Sequence, residues 1–312
     1  MTGPALLRTP GQATPLAKLP EAMRSLWRAA GADTVDGDVA RSLTINFVGV
    51  AAAADELALR EATDRLLRRT PCRAFLLLVD DRVTDVSATV AAASRCVGST
   101  QGIVLEEIVI RMPTRWFDHV PGLVRPLLMN DLPNHLYWAT GWPRQTRHFD
   151  SLAQLCDHVI VDTQHFVTPA IELDQLHVRR GGRRVTDLAW LRLRPWRRAL
   201  AEAFERIAWT PGTATACTIR HGRHATSAAI LLGQWLEQRL AATVALEDTG
   251  ADATTCPESV RLRSDAFEIE LGARGQRIAV HASTNTHCSL PFSVPTSRGA
   301  EGDLLAAAID IA

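Results

Sequence analysis

The stretch LTINFVGVAAAADELALREATDRLLRRTPCRAFLLLVDD, from Leu43 to Asp81, decides the fold class. Its first part, LTINFVGV, is rich in β-branched residues and predicts a strand. Asp55–Arg69 places apolar side chains at helical spacing, and Pro71 ends the predicted helix. Ala74–Val79 is almost continuously apolar, as in a strand covered on both faces of its sheet. Strand, helix and strand in this order indicate an open α/β sheet.

The residues that follow extend this sheet. Val83–Cys96 and Gly102–Met112 predict two antiparallel strands, and Asn134–Trp138 and His158–Val161 predict two short ones. Further helices are predicted at three places: Pro20–Gly31, Trp116–Met129, and a segment capped by Ser151 that runs to Cys156. The N-terminal part is therefore predicted to be an open mixed sheet flanked by helices.

The C-terminal part has a different pattern, because most of its predicted strands follow one another without an intervening helix. The predicted strands are Thr215–Ile219, Val260–Leu262, Phe267–Leu271, Arg277–His281 and His287–Pro291, and the predicted helices are Ser227–Ala241 and Asp303–Ile311. This pattern predicts a smaller α+β domain with antiparallel strands and helices. We divide the chain into a flexible tail with a short helix (1–40), an α/β domain (41–186) and an α+β domain (187–312).

Composition excludes several classes of protein. Lys and Arg number 34, as do Asp and Glu, so the 312-residue chain has no net charge at pH 7. A general nucleic-acid or anionic-membrane binder needs a basic surplus, so neither partner is expected. The first residues lack a basic stretch followed by an apolar one, and no apolar run is long enough to span a membrane. We expect a cytoplasmic protein.

Motifs for catalysis, cofactors or metals are missing from the sequence. It contains no G-x-G-x-x-G after a strand, no phosphate-binding P-loop and no G-x-S-x-G. We therefore expect no catalytic residues, no cofactor and no metal. A zinc site would have to draw on scattered residues of the C-terminal part, namely His221, His224, His281, His287 and Cys288. An H-x-x-H pair in a turn, without partners at fixed spacing, is more typical of a surface.

Cysteine offers two further readings. Cys156 precedes His158 by two residues, but neighbouring side chains at a helix-to-strand junction point apart, which disfavours a nucleophile and its base. The six cysteines form no C-x-x-C pair. Most are expected to be small buried side chains. A thiol-based redox sensor is a weaker alternative.

The most unusual part of the chain is DLAWLRLRPWRRAL, Asp187–Leu200, called here the Trp/Arg segment. Eight arginines lie between Gln175 and Ala201, with Asp187 the only acidic residue among them. Pro195 either begins a new helix or kinks one. Trp196 starts an apolar stripe and is expected in the core. The arginines form a positive face, which is either solvated or a docking surface, since Trp and Arg are favoured at interface hot spots. As partner-binding residues we select Trp142, Trp190, Arg192, Arg194, Arg197 and Arg198.

Several segments, taken together and in order, identify a family. They are RRTPCRAFLLLVD (68–80), EEIVI (106–110), VRPLLMNDLPNHLYWATGWP (124–143), FDSLAQLCDHVIVDT (149–163) and DLAWLRLRPWRRALAEAFE (187–205). The chain resembles the OpcA-type glucose-6-phosphate dehydrogenase assembly proteins. It departs from them at NHLYWATG, so the surface near Trp138 and Trp142 is expected to differ.

The resemblance implies a non-enzymatic protein that binds glucose-6-phosphate dehydrogenase. Such a protein would act as an assembly factor or allosteric activator that favours the active oligomer and supports the oxidative pentose phosphate pathway. The alternative is an enzyme or sensor that binds a phosphorylated sugar or nucleotide through the arginine-rich segment, since arginine forks grip phosphate.

Overall fold

The computed structural model describes residues 7–32, 40–41, 43–97, 100–179, 181–207, 215–252, 254–296 and 301–310. They belong to two compact units. The first consists of Met1–Val161, Arg179–Thr186 and Ala300–Ala312, and the second of Asp162–Val178 and Asp187–Gly299. Our boundary between residues 186 and 187 stays a prediction. Within the predicted tail and short helix, residues 1–6 and 33–39 lie outside the described residues.

A ten-stranded sheet forms the centre of the first unit. Its strands are β1 (Leu7–Arg8), β2 (Gln12–Ala13), β3 (Ala40–Arg41), β4 (Ile45–Ala52), β5 (Cys72–Val79), β6 (Ser87–Val97), β7 (Thr100–Met112), β8 (Asn134–Trp138), β9 (His158–Val161) and β10 (Arg184–Asp187). The order is β1-β6-β7-β5-β4-β8-β9-β10, with β2 on β6 and β3 on β7. The mixed sheet predicted from the sequence is confirmed.

The middle of this sheet is parallel, from β7 through β5, β4 and β8 to β9. Residues in β4 and β5 are nearly all buried, which explains their continuous apolar sequence. β6 runs antiparallel to β7, as predicted. β5, the next strand along the chain, lies on one side of β4, and β8 lies on the other side. The connections therefore leave β4 in opposite directions, and the sheet has a topological switch point between β4 and β8.

Five described helices belong to this unit: α1 (Leu19–Ala32), α2 (Glu56–Leu67), α3 (Val120–Val124), α4 (Thr146–Ala153) and α9 (Glu301–Asp310). α2 connects β4 to β5 and contacts both strands. α9, although last in the described chain, packs against α2. Their approach is close at Gly302, where an added Cβ would lie 2.4 Å from Arg65 Cβ and 2.6 Å from the Ala62 carbonyl oxygen.

A six-stranded sheet forms the core of the second unit, in the order β12-β11-β13-β14-β15-β16. The strands are β11 (Ala216–His221), β12 (Thr243–Asp248), β13 (Ser259–Arg263), β14 (Phe267–Arg274), β15 (Arg277–Thr284) and β16 (Phe292–Pro295). β12 is parallel to β11 and the other neighbours are antiparallel. Its helices are α5 (Pro169–Arg179), α6 (Leu188–Arg192), α7 (Arg194–Arg206) and α8 (Thr226–Leu240). The predicted α+β class is confirmed.

Buried and exposed residues alternate along β13, β14 and β15, so one face of this sheet is covered. The buried side chains of the strands form one apolar cluster with those of α7 and α8. Trp196 is the largest of them and is 1% exposed, as expected from the sequence.

Local corrections concern segments whose pattern was misleading. Ser151 is not a helix cap, because it lies inside α4, which starts at Thr146. The predicted helix over Trp116–Met129 is the five-residue α3 between two 3-10 segments, since its prolines prevent a longer helix. The predicted strand His287–Pro291 is reduced to an isolated bridge at Cys288 before β16.

Candidate partner-binding surface and switch-point cleft

The Trp/Arg segment forms two consecutive helices, α6 and α7. The Asp187 side chain caps α6 by accepting a hydrogen bond from the Ala189 amide at 2.9 Å. Pro195 lies in the first turn of α7, where its missing N–H costs no helical hydrogen bond. Of the two roles considered for Pro195, the structure shows that it begins a new helix.

The opposite sides of α7 differ in polarity. Trp196, Ala199, Leu200 and Ala203 are buried against the sheet of the second unit. Arg194 and Arg198, one helical turn apart, are exposed. Neither arginine makes a side-chain ion pair or hydrogen bond to another described residue. Both guanidinium groups are therefore available to an external anion.

Arg197 behaves differently from these two, because it lies on Trp190. Its guanidinium carbon is 3.9 Å from the centroid of the indole ring. This distance is that of a cation–π contact. A hydrogen bond of 3.4 Å from Nη2 to the Trp190 carbonyl oxygen adds to it. Burial lowers the pKa of Arg197, with the nearby charge of Arg194 as a second cause. Trp190 itself is half-buried and packs edge-on against Trp235.

Arg192 forms an ion pair with the buried carboxylate of Asp162. Its Nη1 and Nη2 atoms donate to Oδ1 and Oδ2 of Asp162 at 2.7 and 2.5 Å. The Asp162 side chain is 0% exposed and that of Arg192 only 11%. This geometry satisfies both carboxylate oxygens of a charge that would otherwise be costly to bury. In this arrangement Arg192 stabilises the second unit. Its selection as a partner-binding residue stays a prediction, as it does for the other five.

Asp187 is a second carboxyl group next to the Asp162–Arg192 pair. Its Oδ2 accepts a hydrogen bond of 2.7 Å from the Thr163 hydroxyl. Burial, together with the charge of Asp162, raises the pKa of Asp187 to about 7. Two carboxyl groups and one arginine thus share a buried polar cluster in which the arginine is committed to Asp162.

Trp142 belongs to the first unit and lines a cleft of about 650 Å³. The cleft opens where β4, β5 and β8 end, beside Ala52, Val79 and Trp138. We call it the switch-point cleft. The remaining lining residues come from β4, from the loops beyond the strands, from the 3-10 segment before α3 and from α4: Val50, Asp81, Thr114, Phe117, Thr140, Gly141, Pro143, Arg144, Gln145 and His148.

An aromatic cluster supports the wall of this cleft. It consists of Phe117, Trp138, Trp142, His148 and Phe149. Phe117 and His148 are stacked with centroids 4.7 Å apart and planes 17° from parallel, and Trp142 lies 4.9 Å from Phe149. Trp138 donates its Nε1–H to the Gly141 carbonyl oxygen at 3.1 Å. Burial lowers the pKa of His148. Each ring of the cluster therefore packs against at least one other ring of the cluster.

The other histidines and cysteines considered in the sequence analysis do not form a catalytic or metal site among the described residues. His158 contacts His135 through Nδ1 at 3.2 Å and Thr186 through Nε2 at 2.9 Å. Burial raises the pKa of the Cys156 thiol to about 12, which opposes formation of a nucleophilic thiolate. Throughout the described ranges, no three His, Cys, Asp or Glu side chains come together as a metal site would require. Over the same residues, every helix is too short or too polar to cross a bilayer.

Sequence reasoning missed Asp162 and most of the aromatic cluster. Asp162 had a signal that could have been read, because it directly follows β9. Asp81 and Thr140, which line the cleft, likewise lie just beyond β5 and β8. Residues at the carboxyl ends of parallel strands meet along one edge of a sheet, so such positions are candidates for a site.

Comparison with curated proteins finds relatives in cyanobacteria. The chain is 29% identical over 187 residues to a Nostoc punctiforme protein named OxPP cycle protein OpcA, which covers 57% of this chain and 39% of that protein. A Synechocystis protein of the same name is 27% identical over 146 residues, covering 46% of this chain and 31% of the relative. The chain thus spans well under half the length of these relatives.

Solved structures with a similar course of the chain include a levoglucosan dehydrogenase in complex with NADH and L-sorbose. It is 10% identical, with a TM-score of 0.49 over 86% of this chain and 88% of that chain. An oxidoreductase from Sinorhizobium meliloti is 12% identical, with a TM-score of 0.47 over 85% of this chain and 82% of the other.

Two family descriptions match consecutive parts of the sequence. Residues 63–178 match the family described as glucose-6-phosphate dehydrogenase subunit N-terminal domain. Residues 183–311 match the corresponding C-terminal domain. The two matches occur in the expected order and together span most of the chain. The chain therefore belongs to the OpcA-type family of glucose-6-phosphate dehydrogenase assembly proteins.

Proposed function

We propose that this chain is a non-catalytic assembly factor and allosteric activator of glucose-6-phosphate dehydrogenase. It binds the dehydrogenase in the cytoplasm, favours its active oligomer and so supports the oxidative pentose phosphate pathway. The observation that carries the proposal is the match of both domain descriptions, which name a subunit of this enzyme, over residues 63–178 and 183–311.

Activation places a thermodynamic demand on such a protein. A partner that binds active and inactive forms of the enzyme equally well changes neither population. The contact must therefore be stronger with the active form of the enzyme than with the inactive one. The coupling is reciprocal, so ligands that favour the active enzyme also tighten its binding to this chain.

The surface of α6 and α7 suits the contact. Arg194 and Arg198 offer free guanidinium groups, and the stacked Arg197 and Trp190 give a flat area beside them. Exposed arginines speed encounter with an acidic surface, while a partly buried Trp can become a hot spot once covered. We include Trp142 in the proposed contact. Arg192 contributes through its pair with Asp162, which holds the end of α6 in place.

The deciding experiment measures dehydrogenase activity against glucose 6-phosphate concentration, with the enzyme from the same organism, with and without the purified chain. We expect higher kcat/KM with the chain present, no activity from the chain alone, and co-elution of the two proteins on size exclusion. Unchanged kinetics together with separate elution would refute the proposal.

A further inference from the structure

The switch-point cleft has the position and size of a ligand site. In open α/β sheets, ligands bind outside the carboxyl ends of the strands, at the point where the connections diverge. Here that point lies between β4 and β8, and the ends of both strands line the cleft. Its volume of about 650 Å³ falls within the range of small-molecule sites.

The wall of the cleft fits a flat ring. Phe117, Trp138 and His148 are buried and held by contacts to other rings, and Trp142 is half-buried at the opening. The half-buried Trp142 ring can receive a nucleobase at little entropic cost, because its contact with Phe149 and the buried rings behind it holds it in place. Burial lowers the pKa of His148, which disfavours a positive charge on this ring.

The rim of the cleft limits the charge of the ligand. Asp81 directs both carboxylate oxygens to Thr114, accepting from its amide at 2.7 Å and from its hydroxyl at 2.9 Å. Arg144 is exposed and makes no ion pair with any residue that the structure describes. Among the described residues that line the cleft, Arg144 is the one available cation, which matches a ligand with one anionic group.

The same region disfavours the pyrophosphate of a dinucleotide. Such a group needs a glycine-rich turn after the first strand, so that the backbone can approach closely. In this chain the end of β4 and the turn after it are four consecutive alanines, Ala51–Ala54, with no glycine. Asp55 follows as the N-cap of α2, and its negative charge opposes phosphate at the helix N-terminus. The Glu56 carboxylate is already paired with Arg60 and Arg111.

We propose that the switch-point cleft binds a mononucleotide, with the base against the aromatic cluster and the phosphate on Arg144. The proposal does not rest on the function proposed above, because it concerns the chain alone. Its ligand site also differs from the arginine-rich segment considered in the sequence analysis.

The test titrates AMP and adenosine into the purified full chain by calorimetry, with tryptophan fluorescence as a second readout. We expect saturable one-to-one binding of AMP, with adenosine weaker by roughly tenfold or more, since a charge-assisted hydrogen bond is lost. Arg144→Ala should weaken AMP by a similar factor and leave adenosine unchanged. Trp142→Ala should weaken both ligands. Arg125→Ala, which removes an exposed arginine outside the cleft lining, is the control and should change neither.

Several results would overturn the proposal. One is no saturable binding of AMP up to millimolar concentration. Another is AMP binding that neither Arg144→Ala nor Trp142→Ala affects, which would place the ligand elsewhere. Tighter binding of NADP⁺ than of AMP would indicate a dinucleotide, and binding of glucose 6-phosphate in place of AMP would indicate a sugar phosphate. Arg144→Ala concerns an exposed side chain, so loss of folding does not obscure the outcome.

Discussion

Asp162 and Arg192 form an ion pair through both carboxylate oxygens and both terminal guanidinium nitrogens, shielded from solvent within the second unit. The pair joins the residue that follows β9 to the end of α6. It assigns one arginine of the Trp/Arg segment to stability, while Arg194 and Arg198 remain exposed.

Arg192→Met should destabilise the protein. The substitution leaves the Asp162 carboxylate buried without its cation and next to Asp187, which costs about 3–5 kcal/mol in the free energy of unfolding. Urea unfolding measures the loss. Arg198→Met, at an exposed position, should change the free energy of unfolding by no more than about 0.5 kcal/mol. If both substitutions lowered the free energy of unfolding equally, the Asp162–Arg192 ion pair would not be the cause of the loss.

Asp187 should make stability depend on pH. Its pKa is raised to about 7 in the folded chain, from an ordinary value of 3.8, so the folded state binds this proton more tightly than the unfolded state. The stabilisation is therefore complete below about pH 4 and is lost as pH rises to about 7. Asp187→Asn removes this dependence. The difference between wild type and variant in free energy of unfolding should fall by about 2–4 kcal/mol over that interval. Parallel pH curves for the two proteins would contradict the prediction.

Charge reversal on α7 should weaken binding of the dehydrogenase. The double variant Arg194→Glu/Arg198→Glu replaces two free cations with anions, so the association rate should fall by about one decade and lose its dependence on salt. Surface plasmon resonance at several ionic strengths measures both. The control is Arg24→Glu/Arg125→Glu, which changes net charge equally at two exposed arginines of the first unit. If both double variants slow binding to the same extent, net charge rather than the α7 surface is responsible.

Gly302→Ala should separate α9 from α2. An added Cβ would lie 2.4 Å from Arg65 Cβ and 2.6 Å from the Ala62 carbonyl oxygen, so the helices must move apart at a cost of about 1–3 kcal/mol. Thermal unfolding should begin at lower temperature than in wild type. Gly122→Ala in α3 is the matched control, because its added Cβ meets no atom within 4 Å. A loss of stability in the control as large as in Gly302→Ala would rule out the close approach as the cause.

Much of the fold could be predicted because many of its strands are apolar and bounded by polar residues. The bounds of β8 and β9 agree with the prediction residue for residue. α5 was missed because its apolar residues do not form a buried stripe: Ile171 and Val178 are 60% and 80% exposed. β12 was missed because its residues are mostly exposed, which weakens the apolar signal of a strand.

The candidate site was less predictable than the fold, because its roles depend on partners distant in sequence. Arg192, Arg194 and Arg198 have the same side chain, and only the position of Asp162, thirty residues earlier, distinguishes the first from the others. The aromatic cluster likewise joins Phe117 to His148 across the strand β8. Periodicity reports which residues are apolar along one element, but not which elements meet.

The packing of α9 on α2 also constrains how the protein is made. A ribosome releases the chain from its N-terminus, so α2 emerges long before residues 301–310 exist. The surface of α2 around Ala62, which Gly302 covers in the folded chain, stays exposed while the second unit is translated. The first unit can thus form its sheet early but acquires α9 only after the second unit has been translated. Through that interval this surface is open to chaperones and to other nascent chains.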